Sequence, residues 1–353
     1  MNASLKIFED QIDDIRNHIQ TLNDLQNHYD DSVSILSHLP VATRDCFNRI
    51  LSRRNKEKEY EYRANIVSLY GAYEQFIEGI IKEYVNDIST ICPTYHDLDE
   101  IIRKKYVEKW KSLHTSLLKG HTKYKLSEVD LVDNLNSVLI NDSSLLLAEC
   151  FIPIGGNYRH TVVCQCLTDL GVSDANSSIG KYEPLNTYLS TSFGDVNPDT
   201  VINLKINDLV ERRNEVAHGG GFNIISNDEF EELLEFVLNY AISLNNTLNN
   251  ELLRLKWEMQ NKKEFQPINV FRNPPVVAFS VYETTINEGG GFLVKWGSDH
   301  HPQFSEGRVI TLHVEESDGT SQQVDFVDAT QASRIISIYN QGGFTVNCHF
   351  KFL

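Results

Sequence analysis

Asn203-Leu204-Lys205-Ile206-Asn207-Asp208-Leu209-Val210-Glu211-Arg212-Arg213-Asn214-Glu215-Val216-Ala217-His218-Gly219-Gly220-Gly221 is the stretch on which the reading of this chain turns. Ile206, Leu209, Val210, Arg213 and Ala217 recur at helical spacing, so the segment predicts a helix whose apolar stripe carries a guanidinium at Arg213. Removing a charge from water costs several kcal/mol unless it is paired, so an arginine there calls for a carboxylate or an anionic ligand. His218 lies four residues after Asn214 and shares a face with it, which would let the Asn214 amide fix the imidazole tautomer. The glycines that follow permit positive φ and end the helix, leaving His218 beside backbone with little steric cover. Spacing alone also fits a salt-bridged arginine with a histidine at the helix end.

Outward from this helix, Ser226-Asn227-Asp228-Glu229 has the form of a capping box and opens a second helix running to about Trp257. Upstream, Ile66, Leu69, Tyr70, Tyr73, Ile77, Ile80, Ile81 and Tyr84 form a broad helical stripe that should face a core or a partner, with Glu74 next to it. An acid in that place is either solvated at the edge or aimed at a cation. Helical spacing persists to about Gln266, and from Pro267 short alternating segments separated by Gly and Asn take over. Six strand candidates follow: Val276–Tyr282, Gly291–Trp296, Val309–Val314, Gln323–Val327, Ile335–Tyr339 and Phe344–Phe350. The expected fold is therefore mainly α, with an N-terminal helical extension (1–59), a helical domain (60–266) and a C-terminal all-β, Ig-like sandwich (267–353). Trp296 is the candidate core tryptophan of the sandwich.

The chain has 353 residues, 41% hydrophobic and 23% charged, enough apolar material for a core and roughly twice the usual domain size. No apolar stretch at the N-terminus resembles a leader and none elsewhere approaches a membrane span, so the expectation is a cytoplasmic protein without membrane contact. Six cysteines without a CxxC pair match neither a disulfide framework nor a structural zinc site, and the reading names no metal and no cofactor. A net charge of −17 weighs against generic RNA binding unless cations are concentrated locally. They are: Ile101–Lys125 holds eight basic residues against the single acid Glu108, and Tyr106, Trp110 and Tyr124 interleave with the bases. Arg103, Lys104, Lys105, Lys109, Trp110 and Lys111 are thus candidate RNA contacts through phosphate attraction and base stacking, although a solvated face balancing the acidic remainder reads the same way.

Arg213-Asn214-x-x-Ala217-His218-Gly219, with the upstream Leu69-Tyr70-Gly71-Ala72-Tyr73-Glu74-Gln75-Phe76 helix, resembles the HEPN superfamily, and most of all its MAE-type and RiboL-PSP-type branch. The likeness covers about residues 60–260, leaving the first 60 residues and the β-module outside it. It implies a helical bundle that homodimerises so that two R-x4-H motifs face one cleft, and a metal-independent endoribonuclease in which Arg213, Asn214 and His218 match the motif position by position. Gly156-Asn157-Tyr158-Arg159-His160 looks like the family's middle region and points to Asn157 and Arg159, with Glu74, as supporting residues. RNA, tRNA among it, is the implied substrate. An antitoxin or regulatory protein is an implied partner, and a toxin or antiphage-defence effector an implied role. Some relatives have lost catalysis and serve as dimeric modules that bind a nucleotide or a partner protein.

Overall fold

The computed structural model describes residues 2–33, 40–155, 157–219, 223–273, 275–298, 301–315, 320–330, 334–339 and 344–353. By contacts the chain divides into two compact units, Met1–Leu248 and Asn249–Leu353.

The first unit is helical: α1 (Ala3–Val33), α2 (Val41–Ile91), α3 (Glu100–Leu118), α4 (Glu128–Ile140), α5 (His160–Asp169), α6 (Ala175–Ile179), α7 (Leu185–Phe193), α8 (Pro198–His218) and the start of α9 (Asn227–Met259). Every member of the predicted α2 stripe, Ile66 to Tyr84, is buried, so the 3.6-residue period reports a core helix. Position 60, where the sequence places the end of an extension, lies inside α2, which runs unbroken through 51 residues. The helix α1 packs on it: Phe8, Ile12 and Ile15 are buried, and the Phe8 and Phe76 rings lie 5.1 Å apart. Gly79 makes this approach possible, because a Cβ there would lie 2.3 Å from Ser4 Oγ. One turn further along α2, Glu83 Oε1 accepts from both the Ser4 N–H and the Ser4 hydroxyl at 2.6 Å.

Local chemistry sets the two helices that matter most. Asn197 Oδ1 accepts from the Asp199 N–H at 2.8 Å and Pro198 occupies the first turn, which starts α8. Gly219 ends it in the left-handed region, φ 67°. The expected capping box opens α9, with Glu229 Oε2 accepting from the Ser226 N–H and Ser226 Oγ from the Glu229 N–H. Gly156, Gly220 and Gly221, named in the sequence reading, lie outside the described residues.

The second unit carries antiparallel strands throughout: β1 (Pro267–Arg272), β2 (Pro275–Val281), β3 (Thr285–Asn287), β4 (Gly291–Ser298), β5 (His301–Arg308), β6 (Thr311–Glu315), β7 (Ser321–Gln323), β8 (Phe326–Asp328), β9 (Arg334–Tyr339) and β10 (His349–Phe352). Among the described residues they form a sheet of order β1-β2-β9-β6-β7, a second of order β10-β4-β5 and the pair β3-β8. Phe279 of β2 and Ile336 of β9, partners in the first sheet, share one core with Phe292 of β4 and Phe350 of β10 from the second. The core is phenylalanine-based, and the Phe279 and Phe350 rings meet edge to face at 4.8 Å. Trp296 does not belong to it: near the end of β4 it stays 37% exposed.

Candidate active site

Arg213 stands near the end of α8, half-buried. Its guanidinium carbon lies 4.0 Å from the centre of the Tyr70 ring, a cation–π contact. Its Nη2 donates to Asn157 Oδ1 at 3.0 Å. The ring face and the amide oxygen together orient the plane of the guanidinium.

The segment that supplies Asn157 is clasped to α2 through Tyr158. The Tyr158 N–H donates to the Tyr70 hydroxyl at 3.2 Å, and the Tyr73 hydroxyl donates to the Tyr158 carbonyl at 3.0 Å. The buried Tyr158 ring ends with its hydroxyl donating to Glu78 Oε1 at 2.6 Å. Burial, then the neighbouring Glu78 carboxylate, push this phenol well above its usual range, so it stays a donor. Lys123 binds Glu78 from the other side and reaches Glu74 Oε1 at 3.2 Å. Glu74 therefore faces a cation, and the cation is Lys123.

Arg159, next along, pairs with Glu211 of α8 at 2.5 Å. That guanidinium, helped by the Asn214 amide, holds the Glu211 carboxyl below its ordinary range. The amide of Asn214 thus serves Glu211, and no hydrogen bond among the described residues joins it to His218. Arg212 turns the other way, donating from Nε to Asp208 at 2.8 Å and from Nη1 to the Tyr62 hydroxyl at 3.0 Å and the Asn223 carbonyl at 3.3 Å. His218, the last residue of α8, is exposed. It stands five residues after Arg213, about 7.5 Å along the axis and about 140° around it.

Behind this segment the His160 ring is fully buried, with Nδ1 3.0 Å from the Tyr240 hydroxyl and Nε2 3.4 Å from Cys164 Sγ. Burial lowers its pKa to about 4 and raises that of Cys164 to about 12, so both are neutral core groups.

The structure thus brings Arg213, Asn157, Arg159 and Asn214 to one region, keeps His218 at the helix end beside it, and sets Glu74 on a separate acid–lysine cluster. The six α3 candidates are placed differently. Lys109 pairs at 2.7 Å with Asp169, a carboxylate only 2% exposed, and Lys105 lies 2.9 Å from Glu108 and 3.8 Å from Asp169. Lys104 pairs with Glu100 at 2.6 Å. The Trp110 ring stacks on His114, and its indole N–H donates to the Leu131 carbonyl at 3.0 Å. The backbone carbonyl of Arg103 accepts from the Tyr95 hydroxyl, and Lys111 is exposed. Sequence reasoning missed Tyr70 as the platform for Arg213 and Tyr158 as the clasp. The only signal was their tyrosine hydroxyls, which a purely apolar stripe does not require.

Among the described residues no helix is long and apolar enough to cross a membrane. No curated protein matches the chain. The model of the RiboL-PSP-HEPN family matches residues 6–250. That match begins within α1, so the N-terminal segment that the sequence reading left outside the resemblance falls inside it. HEPN domains are often RNases, commonly bind RNA and often dimerise, which gives this chain a nuclease or RNA-related role at the level of the family. On a match spanning well over half its length, the chain belongs to the RiboL-PSP-HEPN family.

Proposed function

We propose that this protein is a metal-independent endoribonuclease that cleaves RNA by attack of the 2′-OH on the adjacent phosphate. His218 removes the 2′-OH proton, and the new O–P bond forms as charge accumulates on the phosphorane beside Arg213. Breaking the P–O5′ bond leaves a 2′,3′-cyclic phosphate, and the departing 5′ oxygen takes a proton to become a 5′-OH. The observation that carries this reading is the seating of Arg213: a ring face and an amide oxygen orient its fork near the end of α8, the helix that His218 closes. One chain offers one such motif, and a symmetric homodimer supplies the second, whose histidine delivers the proton to the leaving group. Asn157, Arg159 and Asn214 position the machinery through Arg213 and Glu211. Of the α3 set, Lys104 and Lys111 have the most exposed side chains for RNA. From the family alone the proposal extends to a cytoplasmic toxin or antiphage-defence effector acting on cellular RNA, tRNA included, under control of an antitoxin or regulatory protein.

The test is cleavage of total cellular RNA in EDTA by wild type and by His218→Ala, with end-group analysis. Wild type is expected to leave cyclic phosphate ends, and the variant to retain its fold while losing about 10³-fold in rate. If neither cuts although both are folded dimers, a non-catalytic HEPN dimer that binds a nucleotide or a partner protein replaces the nuclease.

A further inference from the structure

A cavity of about 650 Å³ opens between α1, α2 and the start of α9, within the size range of small-ligand sites. Its wall joins the motif helix directly, because the buried Tyr62 that lines it accepts the hydrogen bond from Arg212, the neighbour of Arg213. Arg212 also holds the Asn223 carbonyl, one residue before the cavity-lining segment that starts at Ile224. Whatever occupies this space therefore sits against the side of α8 that carries Arg212.

The lining excludes a phosphate as the occupant. Glu61, Asp228 and Glu229 outnumber Lys58. The first turn of α9, which could otherwise attract an anion, already carries its capping box, whose Glu229 stands next to a second carboxylate, Asp228. Leu22, Ile225 and Phe230 supply flat apolar contact, while Asn23, Asn65 and Glu61 supply hydrogen-bonding edges. Apolar walls with amide and carboxylate edges are the chemistry that reads an unstacked base.

We propose that this cavity is a nucleobase site, with guanine preferred, that receives a base of the RNA away from the scissile phosphate, on the Arg212 face of α8. Guanine is the base whose pairing edge places two N–H donors side by side, the pattern that a single carboxylate accepts at both oxygens, and Glu61 is the carboxylate assigned to it. The proposal rests on the nuclease reading for the source of the base, while the cavity's preference can be measured without turnover.

Two measurements test it. In the first, GMP, AMP, CMP and UMP are titrated by calorimetry into His218→Ala protein and into the same protein carrying Glu61→Gln or Leu22→Trp, with a melting curve for each. GMP is expected to bind at least tenfold more tightly than UMP, Glu61→Gln to erase that preference, and Leu22→Trp, which fills the cavity, to weaken all four. In the second, the cut sites that wild type and Glu61→Gln leave in total RNA are sequenced. A guanine at a fixed offset from the cut, lost in Glu61→Gln, supports RNA as the source. GMP selectivity without that offset supports the site with a free nucleotide as its ligand. GMP selectivity in a protein that cuts no RNA defeats the nuclease reading and leaves the site standing. If folded protein binds no nucleotide preferentially and no offset appears, the site is overturned, whether or not the protein cuts RNA.

Discussion

Lys109 on α3 ends against the buried carboxylate of Asp169, whereas Arg213 on α8 ends against the face of Tyr70 and the amide oxygen of Asn157. By composition α3 and the loop after it are the basic part of the molecule, whereas α8 carries four acids, Asp199, Asp208, Glu211 and Glu215, against the bases Lys205, Arg212 and Arg213. By geometry Lys104, Lys105 and Lys109 each meet a carboxylate, an exposed one for Lys104 and the buried Asp169 for Lys109. Arg213 meets a ring face and an amide oxygen, which orient its plane. Charge counted along a chain shows how many cations a segment holds, and the partners show how each is held.

Three outcomes would break or sharpen this contrast. The largest concerns the segment that equips α8. His160 follows Arg159 directly and is held neutral, its pKa lowered by burial from 6.5 to about 4. Unfolded chain takes up that proton near pH 6.5 and folded chain only near 4. Stability is therefore complete above pH 6.5 and declines as pH falls from 6.5 to about 4, by up to about 3 kcal/mol. Urea titrations at pH 7, 5.5 and 4.5 should show the decline, and His160→Gln should flatten it. A slope unchanged by that substitution would move the cause elsewhere. Next in size, Arg213→Lys keeps the charge but loses the fork and the planar contact with Tyr70, and should lower cleavage about 100-fold with the melting temperature little changed. Activity close to wild type would reduce Arg213 to a simple point charge. The smallest effect is expected on α3, where Lys104→Ala with Lys111→Ala should shift KM for RNA by less than about twofold. A rise of about tenfold would make α3 a principal RNA-contact surface.

How far such features could be read from sequence depends on how local their physics is. The stripe on α2 and the capping box at Ser226 are local, and both stand in the structure as the residue pattern indicates. The end of α8 at Gly219 is local too. In the β unit, the buried strands β2, β4, β6 and β9 announced themselves by apolar alternation, while β1 and β5 did not. They are the edges of their sheets, and an edge tolerates polar residues and a proline such as Pro302. Trp296 misled because it continues the inward register of Phe292 and Val294 past the point where the core ends. At the candidate site, Arg213 stood out because it broke a pattern. Its seat on Tyr70, the union of Arg159 with Glu211 and the capture of Lys109 by Asp169 all join residues remote in sequence, and no periodicity encodes them.

The clasp at Tyr158 has a consequence for how this chain can vary in length. Tyr158 reaches back to Glu78 on α2, while Asn157 and Arg159 on either side of it reach Arg213 and Glu211 of α8, so three consecutive residues alternate between two helices. Arg159 is extended, and along extended backbone successive side chains point to opposite sides. A single residue inserted or removed here would exchange the inward and outward positions, putting an amide or a guanidinium where a ring is buried. Across these three positions the chain is a ratchet with one tooth.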